Sequence, residues 1–219
     1  KSLMKIHYTS MLSKQENIGR KETFLLLQAI NSLFELVCNL ESNITALLSK
    51  NLISSLLLEN LLRRLLELAK SNKIKALLEM INGGAAVDEK DLVSQKMEFF
   101  KLKDGEWPDI EYQQSQIKDI EFKLETELKA VRKFLKRPQL QYITNVKESY
   151  LIEVRNGVQT KNLPANWLKV NATKSVSRFR TPEIAKLNKM LQYHQDMLLQ
   201  SCERAYREFL GRIDSLFEY

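Results

Sequence analysis

The chain of 219 residues holds six glycines, two cysteines and two histidines, and each scarcity removes a class of function. The glycines stand at positions 19, 83, 84, 105, 157 and 211, and no Gly-x-x-x-x-Gly-Lys-Ser/Thr phosphate loop can be assembled from them. Cys38 and Cys202 each lie inside an apolar helical pattern, the usual setting of a reduced, buried thiol, so neither a disulfide framework nor a zinc site is expected. A cytosolic or nuclear compartment follows from reduced thiols. His7 and His194 are the only imidazoles, and no second ligand lies at helical spacing from either. His194 is therefore expected to be a packed, hydrogen-bonded residue of a helical seam. No carboxylate pair, Ser/His/Asp set or Cys/His cluster suggests catalysis, so the chain is not read as an enzyme. The richest apolar run, Leu52 to Leu68, is interrupted by Glu59, Arg63, Arg64 and Glu67 and cannot cross a bilayer. Asn43 and Asn171 begin Asn-x-Thr triplets, but no signal peptide supports secretion.

What is present is apolar periodicity and clustered positive charge. With 44% hydrophobic and 28% charged residues the chain can bury a core or build an elongated helical body. A net charge of +7 suggests an anionic partner, nucleic acid or an acidic membrane surface. Most of that charge lies between Gln141 and Thr181. Lys147, Arg155, Lys161, Lys169, Lys174, Arg178 and Arg180 stand there against Glu148 and Glu153, a net of +5. The stretch has β character and interrupts two long helical segments, which makes it the expected working end.

In chain order, Leu3 to Leu12 reads as the tail of a helix, and Gly19 marks a break. Phe24, Leu27, Ile30, Leu33, Phe34 and Val37 recur at steps of three or four, as a helix burying one face requires. Ser42 suits the cap of a second helix. The leucine run continues it or restarts after Asn51, with Leu56, Leu57, Leu61, Leu65 and Leu68 as its core stripe. Asn82-Gly83-Gly84 is expected to end the next helix through a left-handed glycine cap, and Ala85 to Trp107 is a connector without a readable pattern.

Pro108 and Asp109 suit a helix start, followed by a seam of Ile110, Ile117, Ile120, Leu124, Leu128, Val131 and Leu135. Lys133, Lys136 and Arg137 oppose the dipole at its end and Pro138 stops it, giving an arm of ~43 Å at ~1.5 Å per residue. Tyr142–Thr144 and Tyr150–Val154 are strand-like, Asn156-Gly157 signals a type I′ hairpin, and Trp167–Val170 and Ser177–Phe179 are further strands. Thr181, Pro182 and Glu183 then open a helix with a second seam of Ile184, Leu187, Leu191, Leu198, Cys202, Ala205, Phe209 and Leu216. The chain starts without Met and ends in helical periodicity, so it reads as an excised piece with a truncated last helix. The expected fold is mainly α: a long antiparallel helical pair with a small antiparallel β element inserted at its tip. Its parts are residues 1–138, 139–181 and 182–219.

Four runs carry a resemblance: Tyr150-Leu-Ile-Glu-Val-Arg, Leu163-Pro-Ala-Asn-Trp-Leu-Lys-Val, Thr173-Lys-Ser-Val-Ser-Arg-Phe and Pro182-Glu-Ile. With Val131-Arg-Lys-Phe-Leu-Lys-Arg-Pro and Gln141-Tyr-Ile-Thr, they resemble the lever and clamp regions of the MutS mismatch-recognition proteins. The specific likeness covers about Glu127 to Glu183, and before that it is one of pattern. It is nearest the third eukaryotic branch, whose members pair with the second eukaryotic MutS homologue to recognise insertion/deletion loops. The resemblance implies a nuclear DNA repair protein whose lever joins an ATPase domain, with its ATP and magnesium, to a clamp that touches the backbone of duplex DNA. Such contacts hold DNA without reading sequence.

Lys174 and Ser175 match the Lys-Asn of the bacterial clamp loop and are the first candidates for phosphate contact, the serine with a shorter reach. Lys169, Asn171, Thr173 and Lys161 follow by proximity in sequence. Arg178 matches a family arginine and is open to two readings, contact or brace. Trp167 and Phe179 are expected to fill the small sheet's core rather than to stack on bases. Two other classes stay open. A coiled-coil scaffold without DNA contact explains the seams but not the basic tip, and a membrane-surface module would need a basic amphipathic helix where this chain has strands and turns.

Overall fold

A computed structural model describes residues 3–6, 18–50, 53, 55–88, 91–103, 105–145, 148–157, 160 and 162–217. His7, Lys147, Lys161, Asn51, Leu52 and the segment from 7 through Leu12 lie outside the described residues. The chain divides into two compact units, residues 1–107 with 202–219, and residues 108–201.

In the first unit the helices are α1 (Arg20–Asn39), α2 (Glu41–Ser49), α3 (Leu56–Lys70), α4 (Lys73–Glu79), α5 (Gly83–Val87) and α6 (Leu92–Met97). The leucine run restarts as the sequence allowed, capped by Ser55, whose hydroxyl accepts from the Leu58 N–H. Ser42, by contrast, lies inside α2, whose cap position is Leu40 and carries no side-chain bond. The expected leucine stripe is corrected too. Leu65 packs against the core as expected, but Leu56, Leu57 and Leu61 are exposed, and the residues α3 buries are Leu66 and Ala69, against Val37 and Leu48. Leu33 and Cys38 of α1 are likewise exposed, so only Cys202 is the buried thiol expected of both. The apolar face of this helix is about half its circumference, opposite Glu59, Arg63, Glu67 and Lys70, and spacing alone does not say which edge of so wide a face is covered.

Gly83 and Gly84 start a helix rather than end one. Asn82 caps α5, its side chain accepting from the Ala85 N–H. A Cβ at Gly83 would stand 2.8 Å from the tip of the Phe24 ring, so a side chain there would have to push that ring aside. The segment that was unreadable from its pattern holds this unit's aromatic core. Phe99 packs edge-on against Phe100 and Tyr206, at centroid separations of 4.9 and 5.3 Å, and Phe100 meets Trp107 at 4.8 Å. Arg20 is buried, with its guanidinium carbon 4.3 Å from the Tyr206 ring centre and a nitrogen 3.3 Å from Glu203. Burial alone would raise the Glu203 pKa, but the Lys96 hydrogen bond and the Arg20 charge together outweigh it and hold the carboxyl below its ordinary range.

The second unit is built on α7 (Pro108–Leu135) and the first part of α8 (Pro182–Ser215), with a three-stranded sheet between them in sequence. Gln113 meets His194 and Glu127 meets Thr181, so later residues of one helix face earlier residues of the other, and the pair is antiparallel. The seam is as the spacing predicts. Ile120, Leu124, Leu128 and Val131 bury against Ile184, Leu187 and Leu191, with Ile117 and Leu135 at the margin. His194 is satisfied, its Nδ1 2.7 Å from Gln113 Oε1.

The 28 residues of α7 span ~42 Å. It ends in a Schellman motif: the Arg137 N–H donates to Arg132 O and the Lys136 N–H to Lys133 O, with Lys136 left-handed at φ 54. Thr181 caps α8, its hydroxyl oxygen accepting from the Ile184 N–H at 3.1 Å while its proton goes to Glu127, 3.0 Å away.

Candidate nucleic-acid interface

Strands β1 (Ile152–Arg155), β2 (Leu168–Ala172) and β3 (Val176–Arg180) form an antiparallel sheet in the order β1-β3-β2. Strand alternation divides its side chains. Ile152, Val154 and Phe179 enter the core shared with the helical seam, while Glu153 and Arg178 pair on the opposite face. Tyr142 packs edge-on against Tyr150 and donates its hydroxyl to Leu124 O at 2.8 Å. Burial pushes the Tyr142 phenol far above its usual value, with Glu127 and Glu125 adding to it. Trp167 lies half-buried between Phe134 and Phe179, so both aromatics of the sheet serve packing, as expected.

Asn156-Gly157 is not a type I′ hairpin. That turn needs positive φ at both residues, and only Gly157 has it, at +118°. The chain leaves β1 there and returns as β2 at the far edge; the tight hairpin is β2–β3, through Thr173 to Ser175. Asn156 holds that turn instead. Its backbone N–H donates to Ser175 O at 2.9 Å, its Nδ2 donates to Thr173 O and Lys174 O at 3.0 and 3.1 Å, and its Oδ1 accepts from Ser177 Oγ at 2.6 Å. Of the strand expected at Tyr142–Thr144, only a bridge between Ile143 and Leu151 forms.

The expected contact residues take distinct places. Lys174 and Ser175 are exposed in the β2–β3 turn and Lys169 is exposed on β2. Thr173 builds the turn: its backbone N–H donates to Val176 O at 2.7 Å and its hydroxyl oxygen accepts from the Val176 N–H at 3.2 Å. Asn171 accepts from Arg178, whose guanidinium also grips Glu153 at 2.9 Å, so the arginine spans all three strands in the geometry of a brace. Lys161 falls outside the described residues.

Charge pairing sorts the basic residues further. Arg180 binds Glu148 at 2.6 Å and donates to Ser149 O, tying down the loop before β1. Both acids of the stretch are thus taken by arginines of the central strand. Arg155, Lys169 and Lys174 remain exposed, with no partner among the described residues.

Residues 108–197 match the MutS family domain IV, a span that opens at the first residue of α7 and covers the whole sheet. Over its full length the chain is 42% identical to the DNA mismatch repair protein MSH3 of Debaryomyces hansenii, covering 21% of that protein. The chain belongs to the MutS family. It is also 40% identical, over 99% of its length, to the MSH3 of Scheffersomyces stipitis, of which it covers 21%. With the MSH3 of Lodderomyces elongisporus it shares 38% identity over 99% of its length, covering 22% of that protein. This MutS-family chain therefore spans about a fifth of the curated relatives it matches.

Within this MutS-family tip, sequence reasoning overlooked Asn156, Arg155 and the Arg180–Glu148 pair. Asn-Gly is read by habit as a turn, and its role as an anchor depends on a partner turn 17 and 18 residues later. Arg155 carried a signal in the two-residue alternation of β1, since it follows buried Val154 and must face away from the core.

Proposed function

We propose that the sheet of this MutS-family chain holds the phosphate backbone of duplex DNA without reading its sequence, and that the antiparallel helices act as the lever carrying it. One observation carries the reading. The acids of the basic stretch are neutralised in place by Arg178 and Arg180, so the exposed cations Arg155, Lys169 and Lys174 are left to face an anion. Phosphates repeat at every step of a duplex, and lysines on strands and turns bind them as point charges without donors aimed at base edges. Lys174 and Ser175 are the first contacts, with Lys169 and Arg155 beside them. Thr173, Asn171 and Arg178 shape the surface.

In the same proposal the whole protein works in the nucleus on mismatched or looped DNA, paired with the second eukaryotic MutS homologue. There the lever joins the clamp to a DNA-dependent ATPase part. The residues described here do not fit magnesium-ATP: the sequence has no phosphate loop, and no group of three or more His, Cys, Asp or Glu among them is placed for a metal ion.

The test is fluorescence anisotropy of the chain titrated into a labelled duplex, fully paired or carrying an unpaired loop, across a salt series. Weak binding, equal for both and falling steeply with salt, is expected. Absence of binding even at low salt would favour the coiled-coil scaffold instead.

A further inference from the structure

We propose that the β2–β3 turn binds a phosphate oxygen through the backbone N–H groups of Lys174 and Ser175 together with the Lys174 ammonium, and that Asn156 is the positioning residue that aims them. The inference rests on the reading of this turn as a DNA-backbone contact, and it adds which atoms make the contact and what holds them.

The carbonyls of Thr173 and Lys174 both point at the Asn156 amide, which donates to each from Nδ2. No peptide bond among the described residues is cis. In a trans peptide the N–H points opposite to the preceding C=O. The N–H of Lys174 therefore faces away from Asn156, and so does the N–H of Ser175. Neither donates to any group among the described residues, and both residues are exposed.

Successive N–H groups turned to one side, beside a lysine, make the kind of concavity that binds an anion. Asn156 is itself fixed from beneath: its Oδ1 takes the hydroxyl proton of Ser177, which is buried in the sheet. The arrangement also accounts for serine at position 175. A contact made by the main chain does not need the reach of a longer side chain, so the Ser175 hydroxyl is dispensable to it.

The experiment is a double-mutant cycle of Asn156→Ala and Lys174→Ala, measured as affinity of the 219-residue chain for a fully paired duplex at low salt. Backbone amide signals of residues 174 and 175 are followed by NMR in the same titration, and melting temperatures check that each variant folds. Each of the two single changes should weaken binding by about three- to tenfold, the scale of one lost phosphate contact. The double variant should be no worse than roughly twofold beyond the weaker single variant, because Asn156 acts through the turn that carries Lys174. The two amide signals should shift with duplex in the parent and stay still in Asn156→Ala. If Lys174→Ala binds like the parent, the backbone-contact reading of the turn fails and the inference falls with it. If Lys174→Ala weakens binding while Asn156→Ala does not, or the two effects multiply, the inference alone is overturned.

Discussion

In the helical pair of the second unit, Ile120, Leu124, Leu128 and Val131 meet Ile184, Leu187 and Leu191 across a seam dominated by apolar side chains. In the sheet between those helices, Asn156 alone makes four hydrogen bonds and Arg178 joins residues of three strands. Contacts in the seam are non-directional and scale with buried area, so one leucine does much the same work as the next. Those in the sheet are directional and depend on which atom donates to which. Stability of the unit should therefore reside in the seam and DNA affinity in the sheet, and substitutions should separate the two.

The largest effect expected is that of Leu128→Ala, which empties a fully packed site in the seam. It should cost ~2–5 kcal/mol in urea unfolding while leaving the affinity of the folded chain for duplex unchanged. A cost no greater than that of an exposed site would remove Leu128 from the seam. Next comes Thr181→Val, which sits where seam and sheet join and loses both the cap to Ile184 and the bond to Glu127. Roughly 1–2 kcal/mol is expected from a lost cap, read as a lower urea midpoint. An unchanged midpoint would mean that the helix start is held by packing alone.

Lys136→Gly runs the other way. Lys136 is left-handed at φ 54 in the motif that ends α7, a conformation glycine adopts without strain. About 0.5–1 kcal/mol of stabilisation should follow, and a loss would show that the lysine side chain does something there that its conformation does not reveal. Smallest is a contrast of thiols. Cys38 is exposed, while Cys202 is buried and its pKa is pushed up to about 11 by that burial, with Arg20 opposing and Glu203 adding. At neutral pH an alkylating reagent should label Cys38 quickly and Cys202 only on unfolding, as counted by mass spectrometry. Because the raised pKa favours the protonated thiol in the folded chain, the thiol's contribution is intact below the ordinary cysteine pKa and is lost as pH climbs from there towards 11.

Legibility followed the same division. Every seam residue named from α7's spacing is buried or at the margin of the core, because a helix with few apolar residues has one way to hide them. The leucines of α3 were less legible: Leu65 packs against the core, but Leu56, Leu57 and Leu61 are exposed, because the apolar face of that helix is wide and its neighbours cover only one edge of it. The strands were readable as strands, yet their order was not. Asn156-Gly157 carries the signature of a local hairpin, and only the contact with Thr173 and Lys174 reveals a clamp on a distant turn. Of the candidate contacts, exposure left Lys174, Ser175 and Lys169 at the surface, while the partners of Thr173, Asn171 and Arg178 gave them structural work that sequence proximity could not distinguish.

The most direct test of the account is the salt dependence of duplex binding by Lys174→Ala beside the parent chain, on fully paired and looped DNA. If the sheet is a backbone clamp, the slope of log affinity against log salt should fall by ~1, equally on both duplexes, with the melting temperature unchanged. An unchanged slope, or a loss confined to the looped duplex, would contradict it.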